Sequence, residues 1–131
     1  MATIFSKIIS REIPAYIVAE EKNFIAFLDI NPLAEGHTLV VPKLEEDYIF
    51  DLSDQDISEL MVFAKRVAKS IREIVPCKRV GLSVIGLEVP HAHIHLVPIN
   101  ATNDINFTKP KLIFTKEQYL LLASKISSAF K

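Results

Sequence analysis

The sequence predicts an α+β domain: an antiparallel sheet of about five strands, one long helix, and short helices near the two termini. Three observations carry that expectation. Short β-prone runs dominate the middle of the chain, a single long amphipathic stretch interrupts them, and no internal repeat or regular strand–helix alternation points to a parallel array. At 131 residues the chain suffices for one domain and is too short for two of ordinary size. Such a domain buries roughly two-thirds of the surface its unfolded chain exposes, and a 50% hydrophobic composition supplies the core.

In chain order, Ile4-Phe5-Ser6-Lys7-Ile8-Ile9 places apolar residues at helical spacing and stops before Pro14. So short a helix needs something to pack on. Residues 16–19 and Phe24–Leu28 are β-prone and separated by the polar Glu20-Glu21-Lys22-Asn23, a hairpin pattern. Asp29-Ile30-Asn31-Pro32 is turn chemistry, and residues 37–41 read as a third strand closed by Pro42. Ser53-x-x-Asp56 opens the long helix in the manner of a capping box. Its expected apolar stripe is Ile57, Leu60, Met61, Ala64, Val67, Ala68, Ile71 and Ile74, and Pro76 ends it. Strands are expected over residues 79–85 and 90–98, then a loop over 100–114. Thr115-x-x-Gln118 opens a last helix through Tyr119, Leu122, Ala123, Ile126 and Phe130.

Composition excludes several classes of function. Fifteen Lys plus Arg against sixteen Asp plus Glu gives a net charge of −1, which argues against non-specific nucleic-acid binding. The single Cys77 excludes an internal disulfide and any Cys-rich zinc module, and fits a reducing compartment. Lys7, Arg11, Glu12 and Pro14 interrupt any secretory apolar region, and no run of about eighteen apolar residues offers a membrane span. The expectation is a soluble, cytoplasmic, single-domain protein.

Three of the four histidines fall within His91-Ala92-His93-Ile94-His95. In a strand, alternate side chains share a face, with same-face Cα atoms about 6.5–7 Å apart. The strand reading therefore lines up His91, His93 and His95 and turns Ala92, Ile94 and Leu96 to the core. Three uses compete. The rings are a solvated strand face; or they ligate a metal, as neutral imidazoles do; or they perform nucleophilic and acid–base catalysis on a phosphate. No Cys pair or third ligand cluster supports the metal.

The residues resemble a known family. His91-x-His93-x-His95 with its alternating apolar residues is similar to the defining motif of the histidine triad (HIT) superfamily of nucleotide hydrolases and transferases. Ile4-Phe5-x-Lys7-Ile8-Ile9, Glu12-Ile13-Pro14, Ala26-Phe27-Leu28-Asp29-Ile30 and Gly36-His37-Thr38-Leu39-Val40-Val41-Pro42-Lys43 resemble its bacterial-type, Hint-like branch, in order and at similar spacing. The similarity covers roughly residues 4–99, within a single domain of residues 1–131, and leaves 100–131 as a C-terminal extension.

The resemblance implies a homodimer and a purine nucleotide substrate, with no cofactor. It assigns His93 as the nucleophile toward the α-phosphorus, through a nucleotidyl-histidine intermediate of phosphoramidase type. A dinucleoside polyphosphate hydrolase and a nucleotide-binding regulatory protein with weak turnover are the alternatives. His91 and His95 are expected to hold the tautomer and stabilise charge, with His37 beside them. Asp29 matches the carboxylate that receives the ribose hydroxyls. Phe5, Ile8, Phe27, Leu28, Ile30 and Leu39 match the walls of the base pocket, and backbone N–H groups around Val89 would meet the phosphate.

Two departures stand out. Gly86-Leu87-Glu88-Val89 occupies the place of the branch's usual Gly-Gln-Ser-Val, so Glu88 puts negative charge near the phosphate where a hydroxyl is usual. Thr3, Ser6 and Glu45 stand where many bacterial members place Cys, Cys and His around a structural zinc, so no metal is expected. Residues 100–114 lie where specificity is expected to be decided.

Overall fold

The computed structural model describes residues 2–131. Five strands form one sheet in the order β1-β2-β3-β5-β4, every neighbouring pair antiparallel. They are β1 (Ile17–Glu20), β2 (Phe24–Leu28), β3 (Thr38–Pro42), β4 (Arg79–Ser83) and β5 (Ile94–Ile99), with helices α1 (Ile4–Ile9), α2 (Asp54–Ile74) and α3 (Lys116–Ala129). The expected α+β architecture is the one observed.

Both faces of the central strands are covered. Phe24, Ala26, Leu28, Val40, Ile94 and Leu96 turn toward α2 and α3 and form the larger core with Leu60, Phe63, Val67, Ile71 and Ile126. Ile25, Phe27, Leu39 and Val41 turn the other way, toward Phe5 and Ile8 of α1. That two-sided burial explains why β2 and β3 are continuously apolar instead of alternating.

α2 buries Leu60, Phe63, Ala64, Val67, Ser70 and Ile71. The expected stripe was therefore partly misplaced: Met61 is half exposed and Phe63 is buried. On a straight 3.6-residue helix, position 63 shares the inward face with 60, 67 and 71, and 61 falls off it. Ser53 caps α2 through the Asp56 N–H at 3.1 Å, and Thr115 and Gln118 cap α3 reciprocally.

The strand expected over residues 90–98 begins only at Ile94, so His91 and His93 precede the ladder. Their backbone is diverted: the Ala92 N–H donates to the Glu46 carbonyl at 2.6 Å and the His91 N–H to that of Val89 at 2.8 Å. β4 likewise stops at Ser83, short of the expected 85.

Candidate active site

The sheet register builds the site. His95 pairs with Leu39 on β3 and Ser83 on β4, and Leu39 pairs with Phe27 on β2, so His95 shares a face with both apolar residues. α1 lies over the same face, with the Phe5 ring edge-on to Phe27 at 5.6 Å and to His93 at 5.0 Å between centroids.

Hydrogen-bond partners dictate where each imidazole carries its proton. His93 Nδ1 lies 2.7 Å from the carbonyl oxygen of His91. A carbonyl only accepts, so Nδ1 is the protonated nitrogen and Nε2 keeps a bare lone pair. His37 is the opposite case. The Leu33 N–H donates to its Nδ1 at 2.9 Å, which places the His37 proton on Nε2. That proton faces His95 Nδ1 at 3.0 Å, with Asp29 Oδ2 behind it at 3.4 Å. His95 Nδ1 is thereby the acceptor, and its Nε2 bears the hydrogen. One bare nitrogen, on His93, and one N–H, on His95, belong to adjacent rings whose centroids are 4.9 Å apart.

His37 is held for this duty by its neighbours in sequence. Gly36 takes φ +91°, and a Cβ there would stand 2.9 Å from Val75 Cγ2, so only glycine turns the chain sharply enough into β3. Asp29 is oriented by its own turn, Oδ1 accepting the Asn31 N–H at 2.8 Å, while the Tyr119 hydroxyl of α3 donates to the Asp29 carbonyl at 3.0 Å.

Burial keeps these rings neutral. Desolvation, followed by the positive charge of Lys111, lowers His37 from 6.5 to about 4. Desolvation, then the neighbouring His93 and His37, lowers His95 to about 4. His93 is lowered as well, again chiefly by burial, against the opposing pull of the His91 carbonyl, Asp29 and Glu88. An uncharged imidazole is the form that can attack.

Asp29, His37 and His95 bring their donor atoms within 4.8 Å of one another, a spacing a cation could use. The tautomers do not fit one. A ligating imidazole offers a lone pair and donates its other N–H to an acceptor. His37 would have to ligate through Nε2 and place a proton on Nδ1, directly against the Leu33 N–H. The trio is a hydrogen-bond relay by its own donors.

The structure brings Phe5, Ile8, Phe27 and Leu39 together as one wall, with Val89 packed against it. It does not bring Leu28 there. Leu28 belongs to the opposite core, because adjacent strand residues point to opposite faces, and borders a cleft against α3 that Asp29 and His37 also line. Ile30 lies in the turn after β2 and is 66% exposed. Glu88 is exposed in the loop before the histidines. The ring of His91 is fully buried and engaged elsewhere, with Nε2 on the Pro42 carbonyl at 2.7 Å and Nδ1 on the Thr3 hydroxyl at 2.8 Å. Its contribution to the cluster is its main-chain oxygen. Two participants escaped the sequence reading. Leu33 supplies only a backbone N–H. Phe107 reaches back from residues 100–114 to lie 4.7 Å from His95 and 6.2 Å from His37 between centroids.

A five-stranded sheet presenting a histidine run against a short N-terminal helix defines the class: a histidine-triad protein. The chain belongs to the HIT domain family, whose profile matches residues 10–102. It is 40% identical over 98 residues to the adenosine 5′-monophosphoramidase of Saccharomyces cerevisiae, covering 74% of this chain and 62% of that one. To the adenosine 5′-monophosphoramidase of Schizosaccharomyces pombe it is 32% identical over 133 residues, covering both chains entirely. A HIT-like protein of Bartonella henselae involved in cell-cycle regulation superposes with a TM-score of 0.85 at 28% identity, over 98% of this chain and 96% of that one.

Proposed function

We propose that the protein is a nucleotide hydrolase that acts at the α-phosphate through a nucleotidyl adduct on His93, with a purine nucleoside 5′-phosphoramidate as substrate. One observation carries the reading: the His93 Nδ1–H is committed to the His91 carbonyl at 2.7 Å, which leaves Nε2 free to attack. The phosphoramidase names of the two yeast relatives support the leaving-group class.

In the first half-reaction a bond forms from His93 Nε2 to phosphorus as the phosphorus–nitrogen bond breaks. The leaving nitrogen departs as the amine with a proton taken from solvent, while the neutral His95 donates its Nε2–H as a hydrogen bond to the phosphoryl oxygen. Water then attacks phosphorus, the Nε2–P bond breaks, and the proton the water loses passes to solvent. The products are a nucleoside monophosphate and an amine. Phe5, Ile8, Phe27 and Leu39 would hold the base, Asp29 the ribose hydroxyls, and the backbone near Val89 the phosphate.

The test is adduct trapping. Wild type incubated with adenosine phosphoramidate and quenched in alkali, where phosphoramidate bonds to histidine survive, should carry one nucleotide on His93. His93→Ala should lose turnover by about a thousandfold or more and still bind AMP. AMP binding without turnover makes the protein a regulatory nucleotide binder, and faster cleavage of a dinucleoside polyphosphate moves the substrate class. A homodimer belongs to this reading, with the open edge β4, its exposed Leu82, and Val84 and Ile85 just beyond its end as the seam. Sedimentation at a monomer mass across micromolar concentrations would remove it.

A further inference from the structure

α1 begins with a hydrogen-bond network in which the partners of His91 assign its proton and that of the Thr3 hydroxyl. His91 Nε2 meets the Pro42 carbonyl at 2.7 Å, so that nitrogen carries the hydrogen and Nδ1 is a lone pair. The Thr3 hydroxyl, 2.8 Å from Nδ1, is therefore the donor. In return Thr3 Oγ1 accepts the Ser6 N–H at 3.0 Å, and Ser6 Oγ accepts the Thr3 N–H at 2.7 Å, the two halves of a capping box. Thr3 is 9% exposed and His91 fully buried, so water does not substitute for either partner.

An N-cap needs only an oxygen that accepts. Asp would cap α1 as well as Thr, yet an ionised carboxylate has no proton to give His91. Thr3 therefore meets two demands at once, and the second has nothing to do with helix stability. Beyond it lies the reacting ring, because the carbonyl of the clamped His91 is what holds the His93 Nδ1–H. The same six-residue helix also carries Phe5, whose ring stands 5.0 Å from His93 and 5.8 Å from His91.

We propose that Thr3 is a positioning residue for the nucleophile: its hydroxyl proton fixes the ring of His91 between α1 and β3, and the His91 carbonyl in turn fixes His93 with Nε2 bare. The proposal rests on the reading of His93 as nucleophile. It makes α1 the element on which base recognition and nucleophile alignment meet.

Nitrogen-15 NMR of the histidine rings tests it, since two-bond couplings distinguish the two tautomers. In wild type, His91 should be the Nε2–H form and His93 the Nδ1–H form. Thr3→Val removes the proton and keeps the shape; His93 should lose its single tautomer, and kcat should fall about tenfold or more with KM nearly unchanged. Thr3→Asp keeps the cap's acceptor and should lose kcat to a similar extent. Thr3→Ser should restore both the tautomer and the rate. An Nδ1–H form of His91 in wild type overturns the proposal, whether or not any variant folds. So does a Thr3→Asp protein that keeps both kcat and the wild-type tautomers. If wild type turns nothing over, the enzymatic reading fails by itself, and the ring tautomers of wild type and Thr3→Val still decide the positioning role.

Discussion

The ring of His93 is held by the main chain of His91, its Nδ1–H donated to that carbonyl over 2.7 Å. Residues two apart in the sequence thus act as anchor and anchored group. The side chain of the anchor is engaged elsewhere, on Thr3 and Pro42. A backbone carbonyl does not titrate in the working range, so the tautomer of His93 survives pH changes that would alter a side-chain partner.

The pH profile follows from burial. His93 lies below the ordinary 6.5 because desolvation disfavours its charged form. Activity needs the neutral ring, so kcat/KM should stay level from pH 8 down to 6.5 and decline only below that. Steady-state rates across the range check it; an acid limb centred at pH 7 or higher contradicts the assignment.

Stability should respond with a defined sign. His37 and His95 titrate at about 4 in the folded chain and near 6.5 when unfolded. Between those values the unfolded chain binds protons that the native one refuses, so stability is complete above 6.5 and is lost as pH falls toward 4. For the buried His37 each unit of difference corresponds to about 1.4 kcal/mol. Urea unfolding at pH 7.5 and 5 should show the loss, and His37→Leu should reduce its steepness.

His37→Leu also breaks the relay from Leu33 to His95. Turnover should drop about 10- to 100-fold while AMP affinity changes little, a split that steady-state kinetics and calorimetry read together. Because the His37 tautomer rejects a cation, prior treatment with EDTA should leave the wild-type rate unchanged.

Gly36→Ala should cost about 1–3 kcal/mol in urea unfolding. The added Cβ meets Val75 Cγ2 at 2.9 Å and Pro98 Cγ at 3.2 Å, at a φ of +91°. Because the next residue is His37, the relay geometry should suffer with it.

Glu88 acts on His93 by charge through a solvent-exposed loop. Removing that charge in Glu88→Gln should tighten AMP binding about two- to fivefold at low ionic strength. The gain should fade as salt is raised to 0.5 M, roughly a Debye length of 4 Å. Titration calorimetry at two salt concentrations checks it.

Local patterns were enough for most of the secondary structure and for the histidine spacing, though not for where β4 ends and β5 begins. The hairpin, the Ser53 and Thr115 caps and the His-x-His-x-His spacing are all set within a few residues of each other, where sterics and side-chain periodicity operate. Helix phase was less legible: Phe63 and Met61 are two positions apart, both apolar, and only packing against the sheet selects between them. Leu28 and Phe27 show the same limit, since an unbroken apolar strand does not say which face meets which core.

What the amino-acid order determined by itself is the broad order of the elements and the chemistry on offer: three imidazoles at alternate positions, a fourth after a glycine, a carboxylate in a turn. What the tertiary structure alone decided is which nitrogen of each ring bears a proton. Thr3 meets His91 across 88 positions and His37 meets His95 across 58. A neutral imidazole has two nearly equivalent tautomers, and the choice belongs to whichever donor or acceptor the fold delivers. Composition and spacing do not carry that information, because such partners are brought together by sheet register and helix packing.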